Sequence, residues 1–263
     1  MRGRRKGQVG DLPYHQVNQV LRFSKVGYRV NGREVLRDLT FEVEKGQTLV
    51  LLGRSGSGKT TALKMVNALL TPTSGEVSVE GRATIEWNPI ELRRRIGYVI
   101  QETGLFPHFT VAANVGVVPR LNGWPQERIA ARVDELLTRV GLPSKEFGQR
   151  YPRELSGGQR QRVGVARALA ADPPILLFDE PFGALDPVTR HEVRREYTAL
   201  ARDLGKTTLF VTHDVREALE LGDRIGLLAS GRLEELLPVN EFRRAQSAEA
   251  SAFLECLSSD QNN

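Results

Sequence analysis

The chain has one cysteine, no long apolar run and no internal repeat, and each absence closes off a class of protein. Cys256 alone cannot form an internal disulfide, which fits a reducing compartment. Crossing a bilayer as a helix takes about 20 apolar residues in a row. The longest runs here, such as Pro174-Ile175-Leu176-Leu177-Phe178, are strand-sized, so the chain is not expected to span a membrane by itself. Met1-Arg2-Gly3-Arg4-Arg5-Lys6 is basic, but no apolar segment follows it, so the pattern of a secretory signal is lacking. Charge of one sign is not pervasive either. The formal net charge is +5, and Arg2, Arg4, Arg5 and Lys6 supply +4 of it. Such a tail can bind RNA or an anionic membrane surface; otherwise it is a solvated extension or a misassigned start.

What is present is a chain of 263 residues, 40% of them hydrophobic, which suits one large α/β domain or a core with a subdomain. Val20-Leu21-Arg22-Phe23 and Leu39-Thr40-Phe41-Glu42-Val43 alternate like strands, with a hairpin signal at Asn31-Gly32 between them. Glu76-Val77-Ser78-Val79, between Gly75 and Gly81, continues that antiparallel character. Residues 96–100 read as a core strand. From about Thr110 to Ala171 the pattern is helical: Pro125 suits a first helical residue, Ile129, Val133, Leu136, Leu137 and Val140 form one stripe, and Gly141 ends it. Arg128, Arg132, Asp134, Glu135 and Arg139 read as its solvated face. Strand-like runs at 175–178, 207–211 and 225–228, with a helix over about 188–204, predict a mostly parallel sheet. Beyond about Pro238 the chain becomes polar and serine-rich, and residues 258–263 are expected to be disordered.

Gly53-Arg54-Ser55-Gly56-Ser57-Gly58-Lys59-Thr60 fits the phosphate-loop pattern G-x-x-x-x-G-K-[ST]. The strand-like Thr48–Leu52 precedes it and a helical run starting at Thr61 follows, which is the context that pattern requires. Glycines let backbone N–H groups face a polyphosphate, and the helix N-terminus adds partial positive charge. The reading is a nucleoside triphosphate site, with Lys59 on the β/γ-phosphates and the Thr60 hydroxyl on Mg²⁺. Asp179 closes a buried strand, where it can hold Mg²⁺, directly or through water, opposite Thr60. Strand alternation puts the neighbouring Glu180 on the other side of the chain, free to address the attacking water. Gln101 and His213 also follow strand-like runs, where they could reach Mg²⁺, the water or a γ-phosphate; taken singly, each is unremarkable. Leu155-Ser156-Gly157-Gly158-Gln159 opens a helix and makes a second anion site. One triphosphate hardly needs two helix N-termini on one face, unless the second serves a nucleotide held by another copy.

These residues resemble, in order, the motifs of ABC transporter ATPases. Leu155–Gln159 is similar to the signature motif and Gln101 to the glutamine of its loop. Asp179 and Glu180 resemble the end of the Walker B strand, Ala184-Leu185-Asp186 the D-loop, and His213 the switch histidine. Tyr28 matches the aromatic that stacks on adenine. The resemblance spans Tyr28 to His213. It implies an α/β fold: a P-loop NTPase core with a mostly parallel sheet, an antiparallel β subdomain and an inserted helical signature subdomain. The corresponding division is a basic extension over 1–18, expected to be disordered, an ATPase domain over 19–238 with the helical insert at about 102–171, and a tail over 239–263. It further implies ATP and Mg²⁺ bound in a head-to-tail dimer with itself or a paralogous subunit. Ser156, Gly157, Gly158 and Gln159 of one copy would cap the γ-phosphate held by Lys59 of the other, with Glu180 as general base or water-orienter and His213 in support. Phosphate contacts fall to Gly53 through Thr61, interface contacts to Asp186, and Mg²⁺ to Thr60, Gln101 and Asp179.

Residues 96–124 and Tyr151-Pro152-Arg153-Glu154 resemble importers of glycine betaine, choline and related osmoprotectants. That implies integral membrane permease subunits docked through Gln101, Gly104, Leu105, Phe106 and Pro107, indirectly a solute-binding protein, and a peripheral location at the cytoplasmic face of the plasma membrane. From sequence alone, Leu105 and Phe106 could equally tuck into the core. Two departures stand out. Arg54 replaces the proline more often found there in importer ATPases, and is either a cation near the phosphates or a plain surface substitution. About fifty residues follow His213, too few for the paired C-terminal regulatory domains of many relatives. The same subunit could also energise import of another solute, such as a sulfonate or amino acid. An ABC ATPase acting on nucleic acid would usually carry tandem cassettes or a coiled-coil insert; neither is present, and no specific nucleic acid is expected.

Overall fold

The Asn31-Gly32 turn folds the first two strands onto each other. Both residues have positive φ, 49° and 75°, as the favoured two-residue hairpin turn requires. It joins β1 (Gln19–Val30) to β2 (Arg33–Glu44) in a computed structural model that describes residues 18–183 and 185–259. The basic segment 1–17, Ala184 of the D-loop match and residues 260–263 lie outside the described residues. The chain continues through β3 (Thr48–Leu52), α1 (Lys59–Val66), β4 (Ser74–Val79), β5 (Arg82–Ala83), α2 (Pro89–Arg94) and β6 (Ile96–Ile100). A helical stretch follows: α3 (Val111–Val115), α4 (Val117–Leu121), α5 (Gln126–Arg139), α6 (Ser144–Phe147) and α7 (Gly157–Leu169). Then come β7 (Ile175–Asp179), α8 (Pro187–Leu204), β8 (Thr207–Thr212), α9 (Val215–Leu221), β9 (Arg224–Ala229), β10 (Arg232–Pro238) and α10 (Ala248–Ser259).

The strands form two sheets. One is antiparallel, in the order β2-β1-β4-β5; the other has six strands in the order β10-β9-β3-β8-β7-β6, parallel except for the edge strand β10. Side chains alternate faces along a strand, and that alternation divides the interior in two. Leu49, Leu51, Ile175, Leu177, Leu209 and Val211 point into a core shared with α1, α2 and the antiparallel sheet, where Phe23 and Phe41 stack 4.3 Å apart. Val50, Leu52, Leu176, Phe178 and Phe210 point into the other core, shared with α3 and the helices from α5 to α10. The near-continuous apolar runs of β3, β7 and β8 follow from being covered on both faces.

In the helical stretch, Ile129, Val133, Leu136, Leu137 and Val140 are all buried. Pro125 caps α5 rather than starting it, and Gly141, with a φ of 70°, follows the end of the helix. Asn114 on α3 is fully buried and holds the segment before it. Its Oδ1 accepts from Phe106 N–H at 2.8 Å, and its Nδ2 donates to the carbonyls of Phe106, Phe109 and Thr110. A buried amide satisfied on both ends orders this loop without any secondary structure.

The tail expected over 239–263 proves largely ordered. Phe242, in a one-turn 3-10 segment, is fully buried, as is Ala250 of α10. Phe253, Leu254 and Leu257 pack against the same core. Ala250, Phe253, Leu254 and Leu257 recur at +3, +1 and +3, a helical stripe that the serine-rich composition masks. The helix runs through Ser259, so residues 258 and 259 are helical, contrary to the expected disorder.

Candidate functional site

Level strand ends build the site. In register, Leu52 pairs with Thr212, Asp179 with Val211, and Ile100 with Asp179. The residues following β3, β6, β7 and β8 therefore emerge along one edge: the glycine loop, Gln101, Glu180 and His213. Carboxyl ends of parallel strands are where open α/β sheets bind ligands.

Two glycines of the loop are dictated by geometry. A Cβ on Gly53 would lie 2.2 Å from the Leu228 carbonyl oxygen. Gly58 caps α1 at φ 105°, outside the range of an ordinary side chain; that turn starts the helix at Lys59, two residues earlier than its sequence suggests. Lys59 is 4% exposed, and its Nζ donates to the carbonyls of Gly53 at 2.8 Å and Arg54 at 2.9 Å. Burial pushes its pKa below the ordinary lysine value, and the Glu180 carboxylate, 3.6 Å away, opposes that shift. The Thr60 hydroxyl donates to Asp179 Oδ1 at 2.7 Å, and Tyr98 donates to Oδ2 at 3.3 Å. Burial beside that carboxylate raises the Tyr98 pKa, keeping the phenol a donor.

Glu180 departs from the alternation expected of it. β7 ends at Asp179, and Glu180 takes a left-handed φ of 46° while its N–H donates to Val211 O. The turn sends both carboxylates into one cavity instead of to opposite sides. Glu180 Oε2 lies 2.9 Å from His213 Nδ1, a distance at which an ionised carboxylate accepts from an Nδ1–H. The cavity, about 1100 Å³, is lined by Arg54, Ser55, Gly56, Ser57, Gly58, Lys59, Thr60 and Thr61, together with Gln101, Asp179 and Glu180. Its remaining wall comes from Val30, Arg33, Glu34, Val35 and Arg37 of the first hairpin, the stretch from Leu228 to Gly231, and Glu249 of α10. Tyr28 is not part of that wall; it packs, partly buried, on the antiparallel-sheet core.

The second glycine motif lies elsewhere. Ser156 caps α7 and is exposed: its Oγ accepts from Gln159 N–H at 3.2 Å, and its own N–H donates to Gln159 Oε1 at 2.9 Å. Ser156, Gly157, Gly158 and Gln159 do not line the cavity, nor does Asp186, which caps α8 by accepting from Thr189 N–H. Hydrogen bonds with the Thr189 side chain first, and with its backbone N–H second, hold the Asp186 pKa below the usual carboxylate value. Of the two residues left open between partner and core, Leu105 packs partly on the core and Phe106 is 43% exposed.

Residues 36–183 match the model of the ABC transporter family. The chain belongs to that family. The glycine betaine/carnitine/choline transport ATP-binding protein OpuCA of Bacillus subtilis is 48% identical over 219 residues, 80% of this chain and 57% of that protein. The chain thus spans little more than half of that relative's length. The glycine betaine uptake system ATP-binding protein YehX of Escherichia coli is 47% identical over 233 residues, 86% of this chain and 75% of YehX. Among solved structures, a dimeric post-hydrolysis state of the ATP-binding cassette MJ0796 bound to ADP and Pi superposes with a TM-score of 0.74 at 33% identity, covering 83% of this chain and 98% of the other.

In this ABC-family chain one buried carboxyl beside the site escaped the sequence reading. Glu217 of α9 is 4% exposed. It accepts from the Thr212 hydroxyl at 2.5 Å, and Thr212 Oγ1 in turn accepts from Asp214 N–H, bracing the turn that carries His213. No local pattern marks Glu217, since only the packing of α9 on the sheet buries it. Burial pushes its pKa up to about 7; the Thr212 bond works against that shift. The folded protein therefore keeps a proton there that the unfolded chain releases near its ordinary 4.5. Stability should fall as pH rises from about 4.5 to 7 and level off above, a contribution on the order of 3 kcal/mol. Melting temperatures of wild type and Glu217→Gln across pH 4.5–8 check this: the variant should lack that slope.

Proposed function

We propose that two copies of this chain, or one copy with a paralogous subunit, bind and hydrolyse ATP head to tail. Each nucleotide would sit between the cavity of one subunit and the signature residues Ser156, Gly157, Gly158 and Gln159 of the other, and turnover would drive uptake of an osmoprotectant such as glycine betaine or choline. One observation carries this reading: Ser156 lies exposed at a helix N-terminus yet away from the cavity of its own chain. A second subunit turned head to tail gives that N-terminus a use.

The residues present fit the nucleotide. Gly53 and Gly58 leave no room for a Cβ where the backbone cradles an anion. The buried Ser57 Oγ has no hydrogen-bond partner in the free chain, so it is available to a phosphate oxygen. Thr60, Asp179 and Gln101 would hold Mg²⁺; among the described residues no three His, Cys, Asp or Glu side chains cluster, so phosphate oxygens and water would complete its shell. When bound, Mg²⁺ neutralises charge developing on the β- and γ-phosphates. Lys59, already committed to two loop carbonyls, needs little reorganisation to face the phosphates. Glu180 would orient the attacking water and accept its proton, with His213 holding the carboxylate through Nδ1. Asp186 would contact the facing subunit. Tyr28, 25 residues ahead of Gly53, would need to leave its packed position to stack on adenine, whereas Val30 and Arg33 already line the wall.

Among the described residues no helix is long and apolar enough to cross a membrane. Solute movement would fall to integral permease subunits, docked at the cytoplasmic face on the segment around Gln101, Gly104, Phe106 and Pro107, with Asn114 keeping that segment in shape. The cargo assignment rests on the similarity to OpuCA, a glycine betaine/carnitine/choline transport protein, and to YehX, of a glycine betaine uptake system. The direct test is to co-purify the chain with its permease and measure ATP-dependent uptake of labelled glycine betaine and choline into vesicles. Uptake is expected to disappear with Lys59→Ala in the same complex. Full uptake with that variant, or none with wild type, refutes the reading.

A further inference from the structure

Arg54 and Glu249 stand 195 residues apart in sequence and meet at the mouth of the cavity. Arg54 Nε donates to Glu249 Oε1 at 2.7 Å. Within the loop, the Arg54 carbonyl accepts from Lys59 Nζ, so its backbone belongs to the phosphate loop while its side chain reaches out to α10. Glu249 is in the first turn of that helix and lines the same cavity as Lys59 and Thr60. Other contacts also hold the start of the helix: Ser247 N–H donates to Glu235 Oε1 at 2.6 Å, Ser247 Oγ accepts from Ala250 N–H, and Ala250 is buried. A carboxylate is thus presented to a site shaped for a polyanion.

We propose that this pair is an exchangeable latch: Glu249 holds the Arg54 guanidinium until the polyphosphate of a nucleotide takes it over, so that α10 tunes nucleotide affinity. The inference rests on the cavity being the ATP site. The charge arithmetic favours exchange. Arg54 is 68% exposed and Glu249 19%, and ion pairs this open to water hold weakly. A di- or triphosphate offers a guanidinium several oxygens and more charge than a single carboxylate. Until exchange occurs, Glu249 occupies the cation and repels the incoming phosphates. Without a cation at position 54, Glu249 would lose this partner.

The 263-residue chain is titrated calorimetrically with AMP, ADP and a non-hydrolysable ATP analogue, each with Mg²⁺. Glu249→Gln is expected to tighten the analogue and ADP by about 3- to 10-fold and AMP by less than 2-fold, the size of a water-exposed charge effect. Glu241→Gln removes the same charge outside the cavity wall and should stay at the wild-type value. Hydrogen exchange provides a readout independent of affinity. Amides of residues 250–257 should exchange faster in wild type once the analogue binds, but not with AMP; in Glu249→Gln they should be fast with or without nucleotide. If Glu249→Gln binds the analogue no tighter than wild type, or if α10 becomes more protected on binding, the latch is wrong. If wild type fails to bind the analogue at all, the nucleotide reading of the cavity falls, and the latch with it.

Discussion

Glu180→Gln should bind ATP about as well as wild type and hydrolyse it roughly 10²–10⁴-fold more slowly, the usual contribution of a positioned base. The amide keeps the length of the side chain, and the left-handed turn at residue 180 is set by the backbone bond to Val211 O, which does not involve the side chain. The contact from His213 Nδ1 also survives, because an amide oxygen accepts a hydrogen bond. What is lost is the capacity to take a proton from water. Lys59 loses its nearest carboxylate as well, which should hold ATP-binding affinity at or above wild type. Equilibrium binding and single-turnover hydrolysis, measured on the same preparation, separate the two effects. Turnover within a few-fold of wild type would remove Glu180 from the role of base.

Lys59→Ala and Ser156→Arg should each be inactive alone, yet active when mixed. In an isologous pair the loop of one copy meets the signature of the other, and the converse contact is made at the same time. A mixed dimer places both defects in one site and leaves the second site intact, with the Ser156→Arg copy supplying the lysine. With equal amounts and random pairing, about one quarter of all sites are whole, so about a quarter of wild-type ATPase activity should return if sites turn over independently. The single variants fail for different reasons. Lys59→Ala removes the buried cation bonded to the Gly53 and Arg54 carbonyls, and should lose ATP binding itself. Ser156→Arg should still bind ATP in its own loop, since Ser156 lies outside that cavity, while the bulk and charge at the head of α7 block the facing γ-phosphate. Steady-state ATPase rates of the two variants, alone and mixed, decide the matter. No recovery on mixing would refute sites shared between subunits.

Sequence reading succeeds here where the physics is short-range. The phosphate loop is eight consecutive residues, and local backbone geometry requires the glycine at Gly58, with a φ of 105°. The Asn31-Gly32 hairpin, the α5 stripe and the strand runs of β3, β7 and β8 likewise express periods of two or 3.6 residues. The readings that changed are those in which a distant contact overrides a local rule. Alternation would separate Asp179 from Glu180, but β7 stops between them and Glu180 turns with the support of Val211 from the neighbouring strand. Polar composition suggested a tail after Pro238, but β9 and α9 offer an apolar surface that the stripe of α10 covers. Arg54 looked like either a phosphate cation or a surface substitution until its partner on α10 was found.

By itself, then, the order of residues determined the fold class, the loop that receives an anion, and the set of side chains available for chemistry, because each is encoded within a few residues or in a simple period. Only the tertiary structure decided which of those side chains share a cavity: Lys59, Asp179 and Glu180 do, while Ser156 and Asp186 do not. It alone revealed Glu217 beneath the His213 turn and Glu249 at the cavity mouth. Those placements depend on the level ends of parallel strands and on helices packed from far along the chain, distances over which no local pattern carries information.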